Sequence, residues 1–234
     1  MNNDTPPITP LLRDTEDGMS VDERARLMQQ LAEKLHALDA LAGAPSMPQA
    51  RLQLDIAELL NALERSTEAW ELAREAFITA MRNNSWTDAV EACDVLYQSK
   101  QPDARAALGM GVWLAVTFPV DPELTAAMLI HVVDALPDDA DDAAVAAIAA
   151  RYVVDLRADD AQHENLSFLT GHLLATVAQR HSNVQDQVAL DRWLDRLQLR
   201  EPQVFLPRLA GVVEDLVGDR WWFDRDALRD SLPD

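Results

Sequence analysis

Three histidines, His163, His172 and His181, recur at intervals of nine residues. Nine helical residues turn through about 900°, so neighbours in this series point to opposite sides. His163 and His181 share a face but stand about 27 Å apart along an unbroken helix, too far to share one metal ion. His163-Glu164 lacks the second histidine of the zinc-protease pattern. The single cysteine, Cys93, follows Ala89 and Ala92 and precedes Leu96. It reads as a small buried hydrophobe rather than a nucleophile. A pocket joining Cys93 to His131 and an acid would be the mark of an enzyme. The run Asp138-Asp139-Ala140-Asp141-Asp142 has carboxylates but neither the central Gly nor the distal Glu of a calcium loop. Gly109-x-Gly111 lies in an apolar helical stretch and follows no strand, so it is no phosphate loop. We expect no catalytic residue, no metal ligand and no cofactor.

One aromatic cluster stands apart. Adjacent helical residues diverge by about 100° per step, so Trp221, Trp222 and Phe223 cannot all face one core. They form either a terminal cap or a patch for a partner or a second copy of the chain. Arg220 and Arg225 flank them, and Trp and Arg are favoured at binding hot spots. These five residues are the candidate partner-binding site. Trp70, Trp86 and Trp113 read as core packing.

The elements that must position these groups are helical. The chain is 234 residues long and 48% hydrophobic, with only 7 glycines, and alanine and leucine dominate. Such a composition favours helix, and no segment alternates as a strand. Residues 1–19 hold Pro6, Pro7 and Pro10 without periodicity and read as a flexible N-terminal arm. Ser20 and Glu23 form a capping-box pattern ahead of a helix over 21–42. Further helices are expected over 49–63, 66–81, 86–99, 103–117, 122–136 and 143–156. Others follow near 161–180, 184–197, 202–217 and 224–231. Ser66 or Thr67, Ser85 and Asp121 stand where caps belong, with Pro122 at a first helical position. The expectation is an all-α domain over 20–234 of about ten antiparallel helices, with 138–142 the candidate internal boundary.

Two stretches, Trp70–Asp103 and Ala104–Pro137, align at a spacing of 34 residues. Ala73, Ala76, Phe77 and Ala80 fall on Ala107, Met110, Gly111 and Leu114, and Cys93 and Leu96 fall on Ala127 and Ile130. This pattern resembles the tetratricopeptide repeat over about 68 residues. Phe77 and Glu123 stand where that family favours small residues, and prolines occupy the second turn. The resemblance implies stacked helical hairpins forming a curved scaffold whose inner surface holds a peptide or helix of another protein. The matching positions are packing positions, so they assign no binding residue. A generic bundle of helical hairpins is the other arrangement.

Lys and Arg number 20 against 40 Asp and Glu, a formal net charge of −20. That excess repels nucleic acid and anionic membranes and suits a basic or amphipathic protein segment. One cysteine permits no internal disulfide, and no apolar run is long enough to span a bilayer, so a cytoplasmic home is expected. The leading expectation is a bacterial-type, non-catalytic adaptor or dedicated chaperone. An acidic immunity or inhibitor protein is the alternative. The stretch Asp159–Leu169 is similar to the acidic-histidine stretch of redox-enzyme maturation chaperones, though the Pro usual there is missing. That similarity implies a third reading, as such a chaperone.

Overall fold

A computed structural model describes residues 19–41 and 43–232. Most of the expected N-terminal arm lies outside the described residues. Among the described residues there are eleven helices and no strand. They are α1 (Val21–Ala40), α2 (Met47–Ala62), α3 (Ser66–Arg82), α4 (Trp86–Gln98), α5 (Ala104–Thr117) and α6 (Pro122–Ala135), then α7 (Asp141–Arg157), α8 (Asp160–Ser182), α9 (Gln187–Arg196), α10 (Pro202–Val217) and α11 (Arg225–Asp230).

Local chemistry sets most of the boundaries. The Ser20 hydroxyl accepts the Glu23 N–H at 3.1 Å, opening α1 as the capping pattern predicts. Asp121 accepts the Glu123 N–H at 2.8 Å, with Pro122 at the start of α6. Two expected caps differ. Ser66 and Thr67 lie inside α3, and Arg65 takes the cap position. Ser85 precedes α4 but gives its hydroxyl to the Asp88 carboxylate, so it caps no backbone N–H. The turns close with left-handed residues: Glu64, Asn84, Lys100, Asn183 and Gln198 all have φ between 52° and 61°.

Consecutive helices from α1 to α9 pack as hairpins, and the array has two layers. In the first, α2 touches α4, α4 touches α6 and α6 touches α8. The second holds α3, α5 and α7, and there α10 packs against both α5 and α7. Helix α5 is the centre, with ten of its fourteen residues buried. Two glycines let neighbours approach it from opposite sides. A Cβ at Gly111 would lie 2.7 Å from Cys93 Cβ of α4 and 2.4 Å from Met128 Cε of α6. A Cβ at Gly109 would lie 2.9 Å from Leu216 Cβ and 2.6 Å from Val217 Cγ2 of α10. Arg157 of α7 donates to the Ala115 and Val116 carbonyls at 2.7 and 2.8 Å, closing the open end of α5. The acidic run places Asp141 and Asp142 in the first turn of α7, and α6 and α7 pack directly across it.

The chain thus builds its hairpins outward to α8, turns at α9, and sends α10 back across the second layer. Phe205 near the start of α10 meets Tyr152 of α7, with ring centroids 5.7 Å apart. Leu216 and Val217 at its end meet α5. Among the described residues, no helix is long and apolar enough to cross a membrane.

Candidate functional site

The returning chain leaves α10 at Gly218, whose φ of +58° suits a residue without a side chain. Arg220 follows and is tied down three ways. Its guanidinium donates to the Val217 and Leu216 carbonyls at 3.1 and 3.0 Å and lies 3.5 Å from Asp103. The next three residues are Trp221, Trp222 and Phe223. Together they lie over the groove between α3 and α5.

The groove is aromatic. Trp222 sits edge-on to Trp70 and Phe77 of α3, with centroids 5.9 and 5.4 Å apart. Phe223 reaches both walls, 6.2 Å from Phe77 and 5.7 Å from Trp113 of α5. Trp221 meets Trp113 edge-on at 6.1 Å. Trp113 continues to Phe118, which stacks on Trp86 at 3.8 Å. Edge-on and offset contacts of this kind add to the area that the rings bury. The three terminal aromatics are nonetheless only half-buried, and so are Trp70, Trp86 and Trp113. The latter three flank the core rather than fill it.

Cations bracket the cluster. The Arg74 guanidinium of α3 lies 3.7 Å from the Trp222 ring centre and 5.6 Å from that of Phe77. Burial holds its pKa below the usual guanidinium value. Its Nη1 is buried and has no hydrogen-bond partner. Arg225 lies 5.0 Å from the Trp221 ring and pairs with Glu214 of α10. The five residues singled out by sequence therefore converge on one surface. Sequence reasoning missed Arg74, whose place is set by folding across some 150 residues.

The opposite layer carries a stripe of carboxylates across three helices: Asp55 and Glu58 of α2, Glu91 and Asp94 of α4, and Asp134 of α6. Burial first, then Asp55 and Asp94, push the Glu58 pKa up. Burial first, then Asp88 and Glu58, push up that of Glu91. His131 of α6 stands 2.9 Å from Asp94, and this bond raises its pKa against the effect of burial. Asp88 is buried, which by itself would raise its pKa. Hydrogen bonds from Arg51 and Ser85 outweigh that and hold it low. Below the stripe lies a cleft of about 740 Å³ between the ends of α2 and α4 and the start of α5. Glu58, Asn61, Tyr97, Lys100 and Arg105 line it. Asn61 donates to the Val95 carbonyl at 2.9 Å and leaves its own buried oxygen without a partner. One signal of the stripe was legible, because Asp55 and Glu58 recur as Asp88 and Glu91 33 residues later.

The chemical candidates fall elsewhere. Cys93 is fully buried, and burial pushes its thiol pKa far up, which leaves it unreactive at neutral pH. It faces Gly111, while His131 pairs with Asp94. The three histidines lie on α8. His163 stands 3.3 Å from Asp155, and His181 3.0 Å from Asp141. Ser182, His181 and Asp141 form a chain, with Ser182 Oγ 2.6 Å from His181 Nδ1. Trp193 also donates to Nδ1, at 3.2 Å. That nitrogen has one lone pair, already held by a fixed donor, so it is a poor base for Ser182. The group instead ties α7, α8 and α9 together. Among the described residues, no three His, Cys, Asp or Glu side chains are placed to share a metal ion.

Searches against protein-family models, curated proteins and solved structures find no match to this chain.

Proposed function

We propose that this protein is a non-catalytic scaffold that holds one protein partner, as an adaptor or dedicated chaperone. The carboxylate stripe across α2, α4 and α6 carries the reading. Glu58 and Glu91 stand exposed beside other acids, where partial desolvation and repulsion both raise their pKa values. A basic or amphipathic segment laid across the three helices would relieve that repulsion. The two-layer array supplies rigid elements at fixed spacing, the kind of frame on which repeat scaffolds present extended surfaces. On this reading the tetratricopeptide-like period describes how that frame is stacked. The buried, unreactive Cys93 is compatible with a reducing, cytoplasmic setting.

The same stripe favours a second reading, in which the acidic surface neutralises a basic enzyme or toxin. Such complexes form fast and weaken steeply with salt. The test is capture of partners from a native lysate by the full chain, repeated with Glu58→Lys/Glu91→Lys. We expect one reproducible partner, lost on charge reversal. Failure to capture any partner, or equal capture by the reversed variant, would overturn the proposal. A steep loss of association rate with salt would select the inhibitor reading.

A further inference from the structure

We infer that the groove between α3 and α5 is a binding site for an aromatic segment of a partner, and that the chain's own Trp221–Phe223 is a clasp which that segment displaces. The inference rests on the protein-binding reading above and assigns a face to it. Four observations carry it.

The first is what the groove already holds. Trp222 and Phe223 settle on Trp70, Phe77 and Trp113, so the surface accepts adjacent aromatic rings. The second is that this occupancy is incomplete. All three clasp aromatics stay half-exposed, and α11 beyond them buries no residue. The third is the hinge. Gly218 has positive φ and no neighbour within 4 Å of where a Cβ would stand, so the chain has room to turn at the end of α10. Two polar restraints lie beyond it, Arg220 on the Leu216 and Val217 carbonyls and Asp103, and Arg225 on Glu214.

The fourth observation states what the incoming segment must carry. Arg74 Nη1 is buried under the clasp without an acceptor. A buried donor left unpaired is costly. The clasp places rings on Arg74 but no oxygen within reach of that nitrogen. A segment that offers two adjacent aromatics and a carbonyl or carboxylate oxygen at Arg74 satisfies the groove better than the clasp does. The partner is therefore an aromatic-rich peptide segment with one well-placed acceptor.

The probe is a fluorescein-labelled peptide with this chain's own sequence from 217 to 232, read by fluorescence anisotropy. Wild-type full chain should bind it weakly, because the groove is filled. Full chain carrying Trp221→Ala, Trp222→Ala and Phe223→Ala should bind it at least about tenfold more tightly, a ratio of about 1.4 kcal/mol. Adding Arg74→Ala should cancel that gain. Equal affinity for wild type and the triple variant, or no binding to either, would overturn the proposal. Should the triple variant lose its helical circular dichroism, a protease site inserted after Gly218 provides the second arm. After cutting, the C-terminal fragment should exchange with labelled peptide, and a fragment that never exchanges would likewise overturn it. Neither assay involves the carboxylate stripe, so a failed groove leaves the lysate test of the scaffold standing.

Discussion

At the scale of single residues, the informative side chains are those in environments that oppose their charge. Glu58 and Glu91 have pKa values raised by burial and by neighbouring acids. Their folded-state values exceed their unfolded ones, so at intermediate pH the folded state holds more protons. Stability therefore falls as pH rises from the ordinary Glu value through the raised one, and stays reduced at neutral pH. Replacing both by Gln removes the charge and keeps the shape. We expect Glu58→Gln/Glu91→Gln to raise the thermal midpoint at pH 7 and to lose that advantage below the carboxylate range. Both groups are exposed, so solvent screening keeps the gain modest. Midpoints by circular dichroism across pH check this, and a lower midpoint at pH 7 would remove the repulsion from the account. Asp88 has the opposite sign. Its contribution is present above the unfolded carboxylate value and fades as pH falls through its depressed folded value.

At the scale of elements, apolar spacing and breakers made the helices visible, since Pro, Gly or Asn marks most of the turns, though not Leu63–Arg65, Ala158–Asp159 or Leu197–Glu201. The caps were less legible. Ser85 has a capping side chain, yet the buried Asp88 three residues on takes its hydroxyl. The role of α10 was not legible at all. Its apolar face, Phe205 through Val217, announces burial but not the helix that buries it. Gly109 and Gly111 read as one motif two residues apart, yet they serve two different contacts. That distinction gives a prediction with an internal control. Gly109→Ala would push a methyl into Leu216 and Val217, displacing α10 and the clasp that follows it. We expect it to cost about 1–3 kcal/mol, the usual range for overpacking. Gly211, within α10, meets nothing within 4 Å, and Gly211→Ala should gain up to about 1 kcal/mol from helix propensity alone. Urea denaturation of both variants decides it. Equal effects would mean that α10 does not seat on α5 through Gly109.

At the scale of the whole molecule, charge acts on stability and on binding with opposite signs. Forty acidic residues against twenty basic ones leave repulsion spread over the surface. Many of the cations present are already committed, as Lys34 is to Asp55, Arg51 to Asp88 and Arg180 to Asp138. What remains is net repulsion that destabilises the compact state. Raising ionic strength from about 0.01 M to about 0.15 M shortens the screening length from about 30 Å to about 8 Å. Repulsion across helices is then largely lost, while pairs in contact keep most of their attraction. The thermal midpoint of the free protein should therefore rise over that range. A basic partner drawn to the stripe on α2, α4 and α6 feels the same screening as a loss, so its association rate should fall over the same range. The aromatic groove on the other layer gains from apolar contact and from Arg74 covered by the rings, and added salt weakens neither much. Peptide affinity at the groove, measured with the clasp aromatics replaced, should stay nearly constant as partner association slows. Titrating sodium chloride against melting, association rate and peptide binding separates the three. A midpoint that falls with salt would show that ion pairs outweigh repulsion in holding this array together.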